Sequence, residues 1–306
     1  MQFLWLLTNI RTAVGNELAL AITKCGQQTV LIVLLCAIYW CLDKQVALRA
    51  AFSFCLSGLS AQNLKLIFRI PRPWLLDKQF SPVKAAIKGA TGFSFPSGHT
   101  QSATSIYGSL FVSEKKAPKW IRILIALMPF LVGFSRMYLG VHTPKDVLTA
   151  FCISILCIGI THWLFSYMES EEGILQYVLP GLCVLGAILS VVHGYILYTR
   201  GIVEYAKIVD CAKTGGVAFG FVVGYYLEKR FVKFQNSQNR LCNVIKLIIG
   251  LALLIALNKG MKAVFKANII FAVLQKAILV IFILAGYPLI LKLVNKKNKS
   301  ENAYEK

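Results

Sequence analysis

The stretch DVLTAFCISILCIGITHWLFSY, residues 146–167, has one acidic residue at its first position and no Lys or Arg. A transmembrane helix needs about 20 consecutive, predominantly apolar residues, so this stretch is long enough to cross a bilayer. The whole chain of 306 residues has a similar character, with 57% hydrophobic and 15% charged residues. This composition indicates an integral membrane protein.

Apolar stretches of comparable length recur between short clusters of charge, and each is expected to be a membrane span. The predicted fold is all-α, a polytopic transmembrane bundle of about eight to nine spans. The spans are expected near residues 27–43, 46–67, 99–113, 121–140, 146–167, 174–198, 207–227, 241–257 and 268–293. The predicted regions are an interfacial N-terminal helix at 1–26, a core at 27–167, additional spans at 168–298 and a polar tail at 299–306.

The interfacial helix is inferred from apolar residues that recur at roughly helical spacing over positions 1–24. The positive-inside rule gives the orientation, because basic residues in short loops are retained in the cytoplasm. One topology, with the N-terminus outside and the C-terminus inside, puts most basic clusters inside: Lys44, Arg49, Lys115, Lys116, Lys119, Arg122, Lys229, Arg230, Lys233, Arg240, Lys292, Lys296, Lys297 and Lys299. The 69–98 loop is the main exception, since it is basic and lies outside. Retention in the cytoplasm does not explain a basic cluster on the outer side, so this cluster needs a different explanation.

The net charge of +20 does not indicate nucleic acid, because the basic residues are divided among separate loops of a membrane protein. Retention in the cytoplasm and contact with anionic lipid headgroups explain most of this charge. The nine cysteines are scattered singly with no metal-ligand spacing, and are interpreted as small core residues. No nucleic-acid partner and no metal are therefore expected.

The first segment rich in chemistry, at residues 65–73, follows the second predicted span. Pro71 and Pro73 end the helix, since each lacks an amide donor and restricts the residue before it. Lys65 and Arg72 can therefore converge just beyond the helix end, where ammonium and guanidinium groups suit phosphate oxygens. The alternative is a pair of basic side chains that snorkel toward the headgroup layer.

The second segment, at residues 92–100, opens the third predicted span with Pro96, Ser97, Gly98 and His99. Ser97 or Thr100 can cap the helix, and the free amides of a helix N-terminus form an anion site. Gly98 would let a phosphate approach the backbone, and His99 stands where it could protonate a leaving group. An ordinary capped helix with an interfacial histidine is the alternative.

The third segment, at residues 135–146, lies between the fourth and fifth predicted spans and contains Arg136, His142 and Asp146. Thr143, Pro144 and Asp146 have the pattern of an N-cap, a first-turn proline and an acidic third residue. Asp146 is also near enough to His142 to accept its Nδ1 proton, which would leave Nε2 free to attack. Both roles are compatible. By contrast, His162 and His193 lie inside apolar spans and are interpreted as packing residues.

Taken together, the three segments resemble the signature motifs of the type 2 phosphatidic acid phosphatase superfamily. They read Lys-x6-Arg-Pro at 65–73, Pro-Ser-Gly-His at 96–99 and Ser-Arg-x5-His-x3-Asp at 135–146. The superfamily includes lipid phosphate phosphatases, polyprenyl diphosphate phosphatases, glucose-6-phosphatase and vanadium-dependent haloperoxidases. The resemblance covers residues 27–167, the expected catalytic core, and implies that the chain is an enzyme.

The resemblance also implies roles for the matched residues. His142 would attack phosphorus to form a phosphohistidine, Asp146 would orient it, and His99 would protonate the leaving group. The phosphate oxygens would be held by Lys65, Arg72, Ser97, Gly98 and Arg136. Fixed cations and amide donors are well suited to the charge of phosphoryl transfer, so no cofactor and no metal are expected.

The C-terminal region adds two features. The spacing Gly216-x3-Gly220-x3-Gly224 lets helices approach closely, either within the chain or in a homodimer. Lys207, Asp210 and Lys213 stand at helical spacing near a span end. They form either a self-satisfied pair at the interface or possible contacts for a substrate headgroup.

The leading hypothesis is hydrolysis of a lipid phosphomonoester or polyprenyl diphosphate at the extracytoplasmic surface of a bacterial cytoplasmic membrane. The substrate would come from the surrounding bilayer. The alternatives are a phosphatase for a soluble phosphate ester, a lipid transporter or flippase, and a lipid-binding relative without activity. A transporter should show inverted repeats with broken helices, and no convincing internal repeat is present.

Overall fold

The computed structural model describes residues 1–170, 175–236, 239–264 and 268–294, and over these ranges it is helical without β-strands. The predicted polar tail at 299–306 lies outside the described residues. The helices are α1 (Gln2–Asn9), α2 (Ala13–Lys24), α3 (Gln28–Cys41), α4 (Lys44–Phe68), α5 (Pro73–Leu76), α6 (Lys84–Ile87), α7 (Gly98–Ser113), α8 (Lys119–Tyr138), α9 (Pro144–Ser170), α10 (Leu175–Thr199), α11 (Tyr205–Leu227), α12 (Arg240–Val264) and α13 (Ile269–Ile281).

Among the described residues, six helical segments are long and apolar enough to cross a membrane, so the chain is a multi-pass all-α membrane protein. They are Lys119–Tyr138, Pro144–Met168, Pro180–Thr199, Tyr205–Val232, Leu241–Val264 and Ile269–Val294. A seventh arises if α2 and α3, which meet at a bend of 47°, form one span. Two π-helical turns extend this set, Glu228–Val232 after α11 and Phe282–Gly286 after α13.

Two helices that the sequence predicts as spans, α4 and α7, do not meet the same test of length and hydropathy, and α3 meets it only together with α2. Helix α7 has 16 residues, which at 1.5 Å per residue gives about 24 Å, less than the ~30 Å hydrocarbon core. Both helices carry polar side chains that bond to each other: the Ser57 and Ser105 hydroxyl oxygens are 2.6 Å apart, and Gln101 donates to Ser57 at 2.6 Å. Pairing inside the protein therefore compensates for their polarity.

The predicted N-terminal helix is divided into α1 and α2 around Arg11. The Thr12 hydroxyl caps α2 by accepting a hydrogen bond from the Gly15 amide at 3.0 Å. Arg11 donates to the Tyr138 and Ser81 carbonyl oxygens, both at 2.8 Å. The apolar pattern of the sequence continues through the break, but a local cap and long-range hydrogen bonds interrupt the helix there.

The chain divides into two compact units, and the first comprises residues 1–35 and 45–176. In this unit α7 packs between α8 and α9, while α1 and α2 pack against α8. The buried face of α7 contains small and polar residues, including Thr100, Ser105 and Ser109. These helices bring the three signature segments to one end of the first unit.

The second unit comprises residues 36–44 and 177–306, and its main contact joins α11 to α13. A methyl group at Gly220 would lie 2.6 Å from the Ala277 carbonyl oxygen, and one at Gly224 would lie 3.0 Å from Leu284 Cβ. At Gly216 a methyl group would overlap the Val273 carbonyl oxygen. The glycine stripe therefore serves packing within the chain, which is the first of its two predicted uses.

Candidate active site

The candidate active site forms where the end of α4, the start of α7 and the turn between α8 and α9 meet. His142 lies within electrostatic reach of Arg72, Arg136, Lys65 and His99. Asp146 completes the group, with its Oδ2 atom 3.5 Å from His142 Nδ1. The structure thus brings together the titratable residues predicted for the core: Lys65, Arg72, His99, Arg136, His142 and Asp146.

Arg72 is fixed by the loops around it and points at the imidazole of His142. Its Nη1 atom is 2.8 Å from His142 Nε2 and donates to the Val141 carbonyl at 3.0 Å. Its Nη2 and Nε atoms donate to the Thr91 and Gly92 carbonyls at 2.7 and 3.1 Å. Arg72 can only donate, and its Nη1 atom is closer to Nε2 than to Nδ1, which is 3.5 Å away, so the geometry favours the neutral tautomer with its proton on Nδ1.

Asp146 holds the opposite side of the imidazole. Its Oδ2 atom accepts from the Ser94 hydroxyl at 2.6 Å and from the Thr143 amide at 2.7 Å. The Asp146 amide in turn lies 3.4 Å from the Thr143 hydroxyl, which completes a reciprocal cap at the start of α9. Asp146 therefore makes the predicted capping contact and also faces Nδ1 of His142.

Burial and charge both favour the neutral form of His142, which is only 1% exposed. Burial lowers the pKa of His142 well below its ordinary value, and the nearby cations Arg72, Arg136 and Lys65 lower it further. Burial also lowers the pKa of Arg72 to about 10, while Asp146 acts in the opposite direction. The site thus keeps an unprotonated imidazole beside a guanidinium cation.

Lys65 holds the loop that precedes α7. Its Nζ atom donates to the Phe93 carbonyl at 2.9 Å and to the Pro96 carbonyl at 2.8 Å. The Phe95–Pro96 peptide bond in this loop is cis. Lys65 therefore joins the end of α4 to the segment that leads into Ser97.

The N-terminus of α7 begins with an internal cap and an open backbone position. The Ser97 hydroxyl accepts from the Thr100 hydroxyl at 2.9 Å and from its amide at 3.5 Å. A methyl group built at Gly98 would meet no atom within 4 Å. The space beside Gly98 is therefore available to a ligand that approaches the helix amides.

Arg136 and His99 contain buried nitrogen atoms without hydrogen-bond partners. The Arg136 side chain is 1% exposed, and its Nη1 atom donates to the Thr23 hydroxyl at 3.0 Å. Its Nε and Nη2 atoms have no partner, and neither has Nε2 of His99. Buried polar atoms are normally paired, so these atoms identify a place suited to a polar ligand.

Sequence reasoning missed two residues of this site, Ser94 and Thr23. Ser94 lies inside the second signature segment, so its hydroxyl group near the motif could have identified it as a site residue from the sequence. Thr23 contacts Arg136 across 113 positions of the chain, and nothing in its local sequence indicates that contact.

The predicted C-terminal trio lies in the second unit. Lys213 Nζ is 3.0 Å from Asp210 Oδ1, which is the self-satisfied pair that the sequence offers as one interpretation. The side chains of this pair are 44% and 42% exposed. Lys207 stands on the same helix, within its first turn.

The described residues contain no group of three or more His, Cys, Asp or Glu that could hold a metal ion. The fold and the buried site define a class: all-α, multi-pass membrane proteins whose polar centre joins three cations, two histidines and a carboxylate. The PAP2 superfamily model matches residues 46–169. The model for the PAP2 superfamily phosphatase transmembrane extension matches residues 212–299. The chain therefore contains a PAP2 superfamily domain and, after it, the transmembrane extension of PAP2 superfamily phosphatases.

Curated relatives act on several lipid phosphates. Phosphatidylglycerophosphatase B of Bacillus subtilis is 33% identical over 101 residues, which cover 30% of this chain and 48% of that protein. Sphingosine-1-phosphate phosphatase 2 of Mus musculus is 26% identical over 211 residues, 66% of this chain and 57% of that protein. Undecaprenyl-diphosphatase BcrC of Bacillus subtilis is 33% identical over 103 residues, 34% of this chain and 49% of that protein.

The chain spans about half the length of the curated relatives it matches. No solved structure shows a significant match.

Proposed function

We propose that the protein hydrolyses a lipid phosphomonoester or polyprenyl diphosphate through a phosphohistidine at His142, without a metal. The observation that carries this proposal is the buried imidazole of His142, with Arg72 2.8 Å from Nε2 and Asp146 3.5 Å from Nδ1. A neutral imidazole with its proton on Nδ1 has its lone pair on Nε2, the atom that would attack. The surrounding cations would stabilise the charge of a transferred phosphoryl group.

In the first step, Nε2 of His142 attacks phosphorus as the bond to the leaving oxygen breaks. His99 gives its proton to that oxygen, so the product leaves as an alcohol or a phosphate. Burial and the cations Arg136, Arg72 and Lys65 lower the pKa of His99 to about 3. The negative charge of a bound phosphate acts in the opposite direction and favours the protonated form of His99. Arg72 exchanges its contact with Nε2 for a phosphate oxygen, which frees the nitrogen to attack.

In the second step, water attacks the phosphohistidine and the phosphorus–nitrogen bond breaks. His99, now neutral, accepts the proton of the water, inorganic phosphate leaves, and the starting state returns. Throughout, Lys65, Arg72 and Arg136 bind the phosphate oxygens, together with Ser97 and the Gly98 amide. Asp146 favours the Nδ1 proton of His142 and offsets positive charge that develops on the ring.

The substrate class is inferred from the membrane setting and the relatives. Their names include a glycerophospholipid phosphatase, a sphingoid phosphate phosphatase and an undecaprenyl diphosphatase. A phosphate carried at the end of an apolar chain is common to all three. We place the active site at the extracytoplasmic face, with the N-terminus outside and the C-terminus inside, because the basic loops favour this topology. A bacterial cytoplasmic membrane is the proposed location.

The decisive experiment measures phosphate release by the purified protein in detergent with a chelator present. The panel contains phosphatidate, phosphatidylglycerol phosphate, a sphingoid phosphate, a polyprenyl diphosphate and a soluble sugar phosphate. We expect turnover of at least one lipid, inhibition by vanadate, and no turnover by His142→Ala. His193→Ala, on α10 of the second unit, is the matched control and should retain activity.

Three outcomes would contradict the proposal. Turnover of the sugar phosphate alone would favour a phosphatase for soluble esters. Lipid transfer between leaflets without phosphate release would favour a transporter. Robust activity in His142→Ala would exclude the assigned nucleophile.

Two hypotheses about the second unit remain predictions. If Lys207, Asp210 and Lys213 contact the substrate headgroup, Asp210→Asn should change turnover or affinity for at least one lipid. A homodimer would appear as a doubled protein mass in light scattering after correction for detergent.

A further inference from the structure

One hydrogen bond joins the N-terminal region to the candidate active site. The Nη1 atom of Arg136 donates to the hydroxyl of Thr23 at 3.0 Å. Both partners are buried, with Thr23 4% and Arg136 1% exposed. A buried hydrogen bond to a charged group contributes more to stability than one between neutral groups, so this contact restrains the guanidinium strongly.

The hydrogen bond also determines which atoms of Arg136 remain for a ligand. The guanidinium is planar and presents its donors in a fixed fork. With Nη1 bonded to Thr23, the plane is set, and the buried Nε and Nη2 atoms stay without partners. Those two nitrogens are an adjacent pair that suits bidentate contact with phosphate oxygens.

The segment that carries Thr23 is anchored against the site by contacts of its own. A methyl group at Gly26 would lie 2.6 Å from Val132 Cγ1 and 3.0 Å from the His99 carbonyl oxygen. The Tyr107 hydroxyl donates to the Cys25 carbonyl at 3.2 Å. The turn that follows α2 therefore packs directly on the helices that carry His99 and Arg136.

We propose that Thr23 is a positioning residue that orients Arg136 toward the phosphate, and that residues 23–26 form part of the active-site wall. These residues precede the superfamily match at 46–169, so the proposed wall extends the site beyond the matched domain. The inference rests on the proposed function, because it assigns Thr23 a role in phosphate binding. Helix α2 would then have a role in addition to its predicted contact with the membrane surface.

A purely structural role for Thr23 would give a different result. In that case, loss of the hydroxyl would lower stability and alter kcat and KM without dependence on Arg136. A positioning role acts through Arg136 alone, so substitutions at the two positions should not be additive.

The test compares Thr23→Val, which keeps the shape but removes the hydroxyl, with Thr23→Ser, which keeps the hydroxyl. Phosphate release and vanadate inhibition are measured for each variant, and thermal unfolding is measured in the same detergent. For Thr23→Val we expect kcat/KM to fall about tenfold or more and vanadate to bind more weakly by a similar factor. Thr23→Ser should remain within about threefold of the starting protein.

The double variant Thr23→Val/Arg136→Lys completes the cycle. It should be no less active than Arg136→Lys alone, since the hydroxyl no longer has a guanidinium to orient. If the starting protein is active and Thr23→Val matches it, or if the two effects add, the inference is wrong while the proposed function stands. A starting protein that neither hydrolyses lipid phosphates nor binds vanadate would overturn both.

Discussion

Nη1 of Arg72 lies 2.8 Å from Nε2 of His142 and also donates to the Val141 carbonyl, while Nη2 and Nε donate to the Thr91 and Gly92 carbonyls. The cation is therefore held by the backbone of two separate loops. One residue both fixes the loop before α7 and lies against Nε2 of the proposed nucleophile. A phosphate that binds here contacts a cation and an imidazole that are already positioned relative to each other, which is the condition for efficient phosphoryl transfer.

Replacement of Arg72 by Lys should reduce kcat/KM by about a hundredfold or more. An ammonium group keeps the charge but cannot reach several carbonyls and Nε2 in one plane. Phosphate release under subsaturating substrate measures the effect. Arg69→Lys is the control, because Arg69 is exposed and donates to the nearby Leu66 carbonyl at 2.7 Å. Equal activity of the two variants would contradict this role of Arg72.

Gly98→Ala should separate catalysis from stability. The added methyl group meets no protein atom within 4 Å, and alanine favours a helix over glycine, so thermal stability should be unchanged or higher. The methyl would occupy the space next to the α7 amides, and we expect kcat/KM to fall about tenfold to a hundredfold. Gly159→Ala on α9, also free of neighbours within 4 Å, is the matched control. Full activity of Gly98→Ala would exclude close phosphate contact at this position.

The sequence predicted the helical architecture well, because apolar length and charge clusters reflect the bilayer directly. Each predicted span corresponds to a helix over the part of the chain that the structure describes. The signature segments also meet as expected, since helix ends on one side of a bundle lie close together. His142, Arg72 and Asp146 were therefore within reach of sequence reasoning.

Long-range hydrogen bonds could not be predicted from the sequence. The break between α1 and α2 depends on Arg11 binding the Tyr138 and Ser81 carbonyls, and the contact of Thr23 with Arg136 is equally distant. Neither of these contacts changes the local periodicity of the sequence, so neither can be predicted from it. The polarity of α7 posed a related difficulty, because its hydroxyls bond to partners that a single sequence does not identify.

The imidazole of His142 should remain neutral at pH 6. Burial and then the cations Arg72, Arg136 and Lys65 lower its pKa well below 6.5. Since the unfolded chain would bind a proton near pH 6.5 and the folded chain would not, this group makes stability decrease as the pH falls below that value. The chain has four histidines, so NMR of labelled imidazoles with His142→Gln as reference can follow the titration. A midpoint at or above pH 6.5 would contradict the prediction.

Gly220→Ala should destabilise the second unit. The new methyl group would lie 2.6 Å from the Ala277 carbonyl oxygen, so α11 and α13 must move apart, at a cost of about 1–3 kcal/mol. Thermal unfolding in detergent, followed by circular dichroism, measures this loss. Gly186→Ala on α10, where no atom lies within 4 Å of the added methyl group, should leave the melting temperature nearly unchanged. Equal melting temperatures would show that the stripe is not tightly packed.

In the proposed mechanism the phosphoryl group is bonded to His142 between the two steps. The most direct measurement uses a substrate with a radiolabelled phosphate, stopped by alkaline denaturation within one turnover, because phosphohistidine survives base. We expect labelled protein whose label maps to the peptide with His142, is lost in acid, and is absent from His142→Ala. Turnover without labelled protein at any time in the first cycle, or a label on another residue, would contradict it.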